Sequence, residues 1–163
     1  MQFSLVVVDY LPLEEQLALE EKLLRHDDRN WCLINKSTSD AIVMGISGKQ
    51  EHLIHMPAPI PIIRRFSGGG TVVVDENTFF VTFICNVDDI GIANFPKPIL
   101  QWTADFYDNV FPGFCLRDHD YAFGDRKFGG NAQYLKKNRW LHHTSFLWDY
   151  ETIKMDYLKN PDK

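Results

Sequence analysis

Two short stretches hold the residue types that can do chemistry on an anion: Arg64-Arg65-Phe66-Ser67-Gly68-Gly69-Gly70-Thr71 and Gly124-Asp125-Arg126-Lys127-Phe128-Gly129-Gly130-Asn131-Ala132. In the first, three glycines lie between an arginine pair and the β-branched run Thr71-Val72-Val73-Val74. Bare backbone N–H groups therefore sit beside fixed positive charge at a strand edge, a place that suits a carboxylate or phosphate. In the second, a glycine pair allows another close backbone approach next to Lys127, whose flexible ammonium can follow charge as it develops in a reaction. Residues along a strand alternate between faces, so one guanidinium at most looks into a given site. Arg65, nearer the glycines, is the candidate, and Arg64 is left to solvent.

A glycine-rich turn by itself is more often a hairpin or bulge than a ligand loop; the adjacent arginines change that reading. It is not a Walker loop, because the G-x-x-x-x-G-K-[ST] spacing is missing, and no strand–G-x-G-x-x-G–helix unit offers a dinucleotide site. Lys127, framed by Phe128 and two glycines, is placed to be held, whereas Lys136 and Lys137 belong to a polar, cationic turn. His142 and His143 alternate across a strand, so one faces inward, and a lone inward histidine is usually a hydrogen-bonded core residue. No His or carboxylate cluster has metal-ligand spacing, so no protein-only metal site is expected. Cys32, Cys85 and Cys115 are widely spaced and without a neighbouring histidine, which suggests neither a disulfide framework, a zinc site nor a marked nucleophile.

The elements that must position these residues are mostly short strands. Phe3 to Val8, Trp31 to Asn35, Ala41 to Met44, Ile60 to Arg65, Thr71 to Val74 and Phe79 to Cys85 read as strands, with Gly45 to Pro61 a loop. Phe114 to Arg117, Tyr121 to Phe123, Arg126 to Phe128, Asn131 to Leu135 and Trp140 to Trp148 follow. Helices are expected over Leu13 to Arg25, with Pro12 in its first turn, over Pro98 to Val110, and from an Asp149 cap through Leu158 to a stop at Asn160-Pro161. The second helix is expected to bury Ile99, Trp102, Phe106 and Val110. On the first, Leu13, Leu17, Leu19, Leu23 and Leu24 form an apolar arc in which Gln16 and Glu20 also fall. Either Glu20 points at a buried polar partner, since an isolated buried charge is very costly, or the helix is rotated and Glu20 sits at a wet margin.

The 163 residues and 45% hydrophobic content suit one domain with a single core. A net charge of −5 argues against nucleic acid as the main ligand. Neither a signal-like N-terminus nor an apolar run of about 18 residues is present, so a soluble protein of a reducing compartment is expected, with no membrane partner.

The residues resemble the lipoate-protein ligase A family of the biotin and lipoate ligase superfamily. The resemblance rests on Leu17-Ala18-Leu19-Glu20-Glu21, on Arg64 to Val72 with Asp75 following, on Gly124 to Ala132, and on Leu141-His142-His143, in the family's order over nearly the whole chain. Phe66 to Asn86 and Tyr121 to Tyr150 look especially like the ligases of plants and related eukaryotes.

That resemblance implies an α+β fold, a mixed, largely antiparallel β-sheet flanked by helices, of the biotin/lipoate ligase and class II synthetase-like type. It implies one catalytic domain over residues 1–163, without the C-terminal part and accessory domain that many members carry. The implied reaction takes lipoate and Mg·ATP to lipoyl-AMP and pyrophosphate, then transfers the acyl group to a lysine. Expected acceptors are lipoyl domains of 2-oxoacid dehydrogenase E2 subunits or glycine cleavage H protein, in the cytoplasm or alternatively in mitochondria.

By the same matching Lys127 is the catalytic lysine, bridging acyl carbonyl and phosphate. Arg65, Ser67, Gly68, Gly69, Gly70 and Val72 would line the lipoyl tunnel, Glu20 and Glu21 would lie near the dithiolane, and Gly129, Gly130, Ala132 and His143 would border the acyl chain. Asp120 and Asp125 would lie toward the nucleotide and its Mg²⁺, a metal held only through ATP. His119 stands where the family usually has Asn, and Gly129 where many members have Ser, so rearranged nucleotide contacts are expected. A lipoyltransferase using preformed lipoyl-AMP, a cysteine-dependent octanoyltransferase and a non-catalytic lipoyl-binding module are the competing readings, while biotin ligation is disfavoured by the triple-glycine loop.

Overall fold

The computed structural model describes residues 2–159. The apolar run β1 (Ser4–Val8) leads into α1 (Leu13–His26), which begins after Pro12 and has Glu14 and Glu15 in its first turn and Arg25 and His26 in its last, the charge order that suits the helix dipole. β2 (Trp31–Asn35), β3 (Ala41–Met44), a one-turn α2 (Gln50–Leu53), β4 (Ile62–Arg64) and β5 (Val72–Val74) follow. Next come β6 (Thr78–Asn86), α3 (Val87–Ile90), α4 (Pro96–Asp108), β7 (Cys115–Arg117), β8 (Asp120–Phe123), β9 (Arg126–Leu135), β10 (Arg139–Leu147) and α5 (Thr152–Met155).

Seven strands form one sheet in the order β1-β2-β6-β10-β9-β8-β7, parallel only between β1 and β2, and three form a small sheet in the order β4-β3-β5. The α+β class and the mixed, largely antiparallel sheet flanked by helices are therefore as the sequence leads one to expect. Both faces of the large sheet are covered. α4 packs on one, where Val81, Phe83, Cys85, Tyr121, Trp140 and Phe146 form the aromatic-rich main core with Ile99 and Tyr107. On the other face lie α1 and the small sheet, with Leu13, Leu17, Val43, Ile63, Val74 and Phe80 packed together.

Several expectations need correction. The buried side of α4 is Ile99, Leu100, Thr103, Ala104 and Tyr107, while Phe106 and Val110 are about half exposed. Counting apolar residues selects the wrong face because the centre of the true one is a polar Thr103, whose hydroxyl lies 2.7 Å from the Tyr121 hydroxyl and also reaches the Ile99 and Leu100 carbonyls. The 45–61 connection contains the turn α2, and α3 follows β6 directly. The segment after Leu147 makes only the short α5, with Leu158 bridging back to Ile54 in β fashion. The expected stop at Asn160-Pro161 lies outside the described residues. The Arg126 and Asn131 segments are one continuous strand, because two glycines extend without strain where their neighbours pair on both sides.

No helix among the described residues is long and apolar enough to cross a membrane.

Candidate functional site

The triple-glycine loop joins β4 to β5, the two strands that flank β3, so it must cross the end of β3. It does so over Gly45, where any Cβ would stand 2.3 Å from the Gly69 carbonyl oxygen, closer than atoms can approach. Gly69 itself has φ +103°, backbone that side chains disfavour. The crossing is held by Arg65, which is buried: Nε and Nη2 donate to the Gly68 carbonyl at 3.1 and 2.9 Å, and Nη2 also donates to Gly70 O at 2.7 Å. Burial brings the Arg65 pKa down to about 10, still well above neutrality.

The guanidinium therefore faces the loop's own carbonyls, where the sequence reading had it look into a ligand site. In a trans peptide C=O and N–H point to opposite sides, so turning Gly68 O and Gly70 O toward Arg65 turns the N–H groups of Gly69 and Thr71 away from it. Gly69 and Gly70 are solvent-exposed, and no amide of 68–71 donates to another backbone carbonyl among the described residues. Ser67 is buried and its carbonyl accepts from Ile46 N at 3.0 Å. Arg64 is not left to solvent: it braces the neighbouring bend, donating to Ile46 O and Gly48 O at 2.9 and 2.7 Å.

Lys127 reaches its position through a β-bulge. Tyr121 pairs with Gly129 and Ala122 with Lys127, so β9 carries one residue, Phe128, more than β8 opposite it. In an unbroken strand Lys127 would share the α4 face with Gly129. The extra residue reverses this: Phe128 packs with Phe111, Phe114 and Phe146 on the α4 side, and Lys127 is delivered to the α1 side. There its ammonium lies over Gly130, 3.4 Å from where a Cβ would be, and pairs with Asp120 at 2.7 Å.

The two motifs meet on β9. A Cβ on Gly69 would lie 3.7 Å from the Asn131 carbonyl oxygen, one residue from the glycine that Lys127 overhangs. From there the α1 face runs along the directly paired residues Gly130–Ser145, Ala132–His143 and Tyr134–Leu141. Gly130 and Ala132 keep this floor low, and Phe66 against Tyr134, ring centroids 5.5 Å apart, stands at its far end. Val72 is half-buried in the adjoining core against α1 and Phe80.

Glu20 projects from α1 onto this face, fully buried, so its polar-partner reading is the one the fold adopts. Its Oε1 accepts from Gln16 Nε2 at 2.7 Å and Thr82 Oγ1 at 2.6 Å, and its Oε2 lies 3.3 Å from His143 Nδ1. Burial alone would raise its pKa, but the His143 charge and the hydrogen bonds from His143, Gln16 and Thr82 outweigh it and hold the carboxyl below its usual 4.5. A depressed folded-state pKa contributes stability above about pH 4.5 that is lost as pH falls through the folded value. Glu20→Gln is therefore expected to cost roughly 1–3 kcal/mol at pH 7, and urea unfolding at successively lower pH should show the gap to the parent protein closing.

Both histidines are buried, on opposite faces, since both faces of the sheet are covered; His143 is the one on the Glu20 side. Glu21 pairs with Arg25 at the surface. Asp75 caps its own turn through Asn77 N and accepts from Lys154 at 2.9 Å. Asp125 is exposed in the β8–β9 turn, and no three His, Cys, Asp or Glu residues gather into a metal-holding group among the described residues. A side chain at 129 would strike the Tyr121 ring at 2.9 Å on the α4 face, so the lack of one at Gly129 serves the packing of the aromatic core. Sequence reasoning missed Gly45 and Asn131. Only the MetGly junction closing a buried strand signalled the first, and nothing signalled the second, whose value lies in what it links.

The family model for the lipoyl protein ligase A/B catalytic domain matches residues 12–163. Among curated proteins, one named inactive lipoate–protein ligase 2, from Plasmodium falciparum, is 26% identical over 82% of this chain and 45% of its own length. The Bacillus subtilis lipoate-protein ligase LplJ is 28% identical over 82% of this chain and 42% of its own. The chain thus spans about half the length of these curated relatives. Among solved structures, a putative Thermoplasma acidophilum lipoate protein ligase with bound lipoic acid superposes with TM-score 0.82 at 18% identity, covering 97% of this chain and 73% of that one. A lipoate-protein ligase A bound with ATP gives 0.81 at 19% identity, covering 99% and 73%. These two likenesses show the fold.

Proposed function

This chain belongs to the lipoyl protein ligase A/B catalytic-domain family, and from that premise we propose that it forms the acyl-activating and acyl-transferring centre of a lipoate-protein ligase. The observation that carries this reading is the meeting, on β9, of the exposed glycine-loop amides with the Lys127 ammonium. In the first half-reaction a lipoate carboxylate oxygen attacks the α-phosphorus of ATP, the bond to the β-phosphate oxygen breaks, and pyrophosphate leaves with the pair. Two anions must approach, and donors fixed beforehand lower that barrier. In the second, a lysine amine of a lipoyl domain attacks the acyl carbon, AMP leaves, and the amine proton is lost. Lys127 bridges carbonyl and phosphate oxygens in both steps, while the N–H groups of Gly69 and Thr71 hold the anionic head and the floor over Gly130 and Ala132 takes the chain. Mg²⁺ is assigned to this reaction only as the ion carried by ATP. Asp120, paired with Lys127, and the exposed Asp125 are assigned to the nucleotide side.

A second reading, a lipoyl-binding module without turnover, is favoured by the inactive label of the P. falciparum relative. Lipoate-dependent ATP–pyrophosphate exchange separates the readings. Exchange is expected with this chain. Transfer from preformed lipoyl-AMP without exchange would make it a lipoyltransferase, and calorimetric lipoate binding with neither activity would make it the module.

A further inference from the structure

On the α4 face, behind Lys127, a chain of side-chain amides and one imidazole runs between two backbone carbonyls. Gln133 Nε2 donates to Pro96 O at 3.1 Å, at the start of α4, and Asn131 Nδ2 donates to His119 O at 2.9 Å, in the β7–β8 turn. These two carbonyls fix which end of each amide is the donor. Gln133 Nε2 is then also the donor to His142 Nδ1 at 2.9 Å, and Asn131 Oδ1 is the acceptor for His142 Nε2 at 3.0 Å and for Thr144 Oγ1 at 2.7 Å. Only one form of His142 satisfies both ends: neutral, with its proton on Nε2. The ring is fully buried, and its burial, with the nearby His143, brings its pKa down to about 3, so this form persists across the working pH range. The groups packed around it are Thr103 on α4, Tyr121 on β8, Gln133 and Asn131 on β9, and Thr144 and His143 on β10; Tyr121 and His143 are the titratable ones among them.

The turn that this chain holds is an unusual one. Asp118 and His119 both have positive φ, 52° and 87°, in a two-residue connection between paired Arg117 and Asp120. His119 lies beyond the last β8–β9 pair, Tyr121 with Gly129, so the Asn131 amide supplies the bond that the ladder no longer makes. The next residue, Asp120, is the one whose carboxylate holds Lys127. We propose that Asn131, locked by neutral His142, is a positioning residue that fixes the His119–Asp120 turn and through Asp120 sets where the Lys127 ammonium stands. This rests on the reading of Lys127 as the group at the reacting atoms.

The test compares Asn131→Ala with the parent chain by amide hydrogen exchange and by steady-state transfer. Exchange across residues 118–121 is expected to speed up at least about tenfold, with Phe83 and Leu141 in the sheet centre unchanged. Transfer kcat is expected to fall about ten- to hundredfold with KM for the lipoyl domain within twofold, the pattern of a displaced group that acts in the transition state. His142→Gln, which keeps a donor toward Asn131 and an acceptor toward Gln133, is expected to leave both readouts within about threefold of the parent. If Asn131→Ala fails to fold, Asn131→Asp keeps shape and the acceptor for His142 while replacing the donor to His119 by an acceptor, and the same changes are expected. Unchanged exchange at 118–121, or altered exchange with unchanged kcat, overturns the inference. Exchange needs no substrate, so faster exchange at 118–121 in Asn131→Ala, with a parent chain that ligates nothing, would sink the functional reading and leave the structural role of Asn131 in the turn intact.

Discussion

Lys127→Ala is expected to slow both half-reactions by at least about a hundredfold, the scale of a lost preorganised donor to a developing oxyanion. The protein should fold normally, because the side chain is 44% exposed and its pairing with Asp120 is at the surface, where an ion pair contributes little to stability. Pyrophosphate exchange and single-turnover transfer from lipoyl-AMP read the two steps separately. Lys127→Arg is expected to fail almost as badly. A planar guanidinium cannot occupy the space of a compact ammonium standing 3.4 Å above the Cβ position of Gly130. Thermal unfolding indistinguishable from the parent, with both rates unaltered, would remove Lys127 from the chemistry.

The second large effect is expected at Arg65, by a different route. Arg65→Met keeps length and apolar volume but removes the donors to Gly68 O and Gly70 O, which then lie against a thioether. A buried carbonyl left without a partner costs about 1–3 kcal/mol, and because Gly68 is only half-buried and Gly70 is exposed, a stability loss of roughly 1–4 kcal/mol is expected for the two. Release of those carbonyls also frees the peptides that aim the Gly69 and Thr71 amides. Lipoate affinity should therefore fall about ten- to hundredfold, the equivalent of one lost charge-assisted hydrogen bond. Arg65→Lys should not rescue it, since a single nitrogen cannot serve two carbonyls from two directions as the forked guanidinium does. Denaturant unfolding and calorimetry with lipoate give the two numbers. An Arg65→Met variant that binds lipoate like the parent would mean that the loop does not present the ligand-binding amides.

Arg65 also shows where reading a sequence stops. Local composition was enough to single out an arginine beside three glycines, and charge attraction suggested a guanidinium facing a ligand. The fold turns it inward because a loop crossing Gly45 exposes carbonyls on its underside that need donors. Most strands and α1 were legible, since period-2 and 3.6-residue patterns record which side faces a core, whereas for Glu20 the same wheel left a buried partner and a wet margin both open. The true face of α4 was not, because its polar Thr103 is satisfied by Tyr121 and His142 from distant strands. Nor was the bulge at Phe128: a one-residue register shift depends on the partner strand, and it alone decides that Lys127 and not Phe128 faces α1. Asn131 was invisible for the same reason, its partners His119 and His142 being 12 and 11 residues away in sequence.

The most direct test of the central claim, that the Lys127 ammonium and the glycine loop act together on the head of an acyl acid, is the intact mass of an apo lipoyl domain after incubation with this chain, lipoate and Mg·ATP. One lipoyl group on a single lysine is predicted with the parent chain, and essentially none in the same time with Lys127→Ala. An unmodified domain with the parent chain, or equal modification by both proteins, would contradict it.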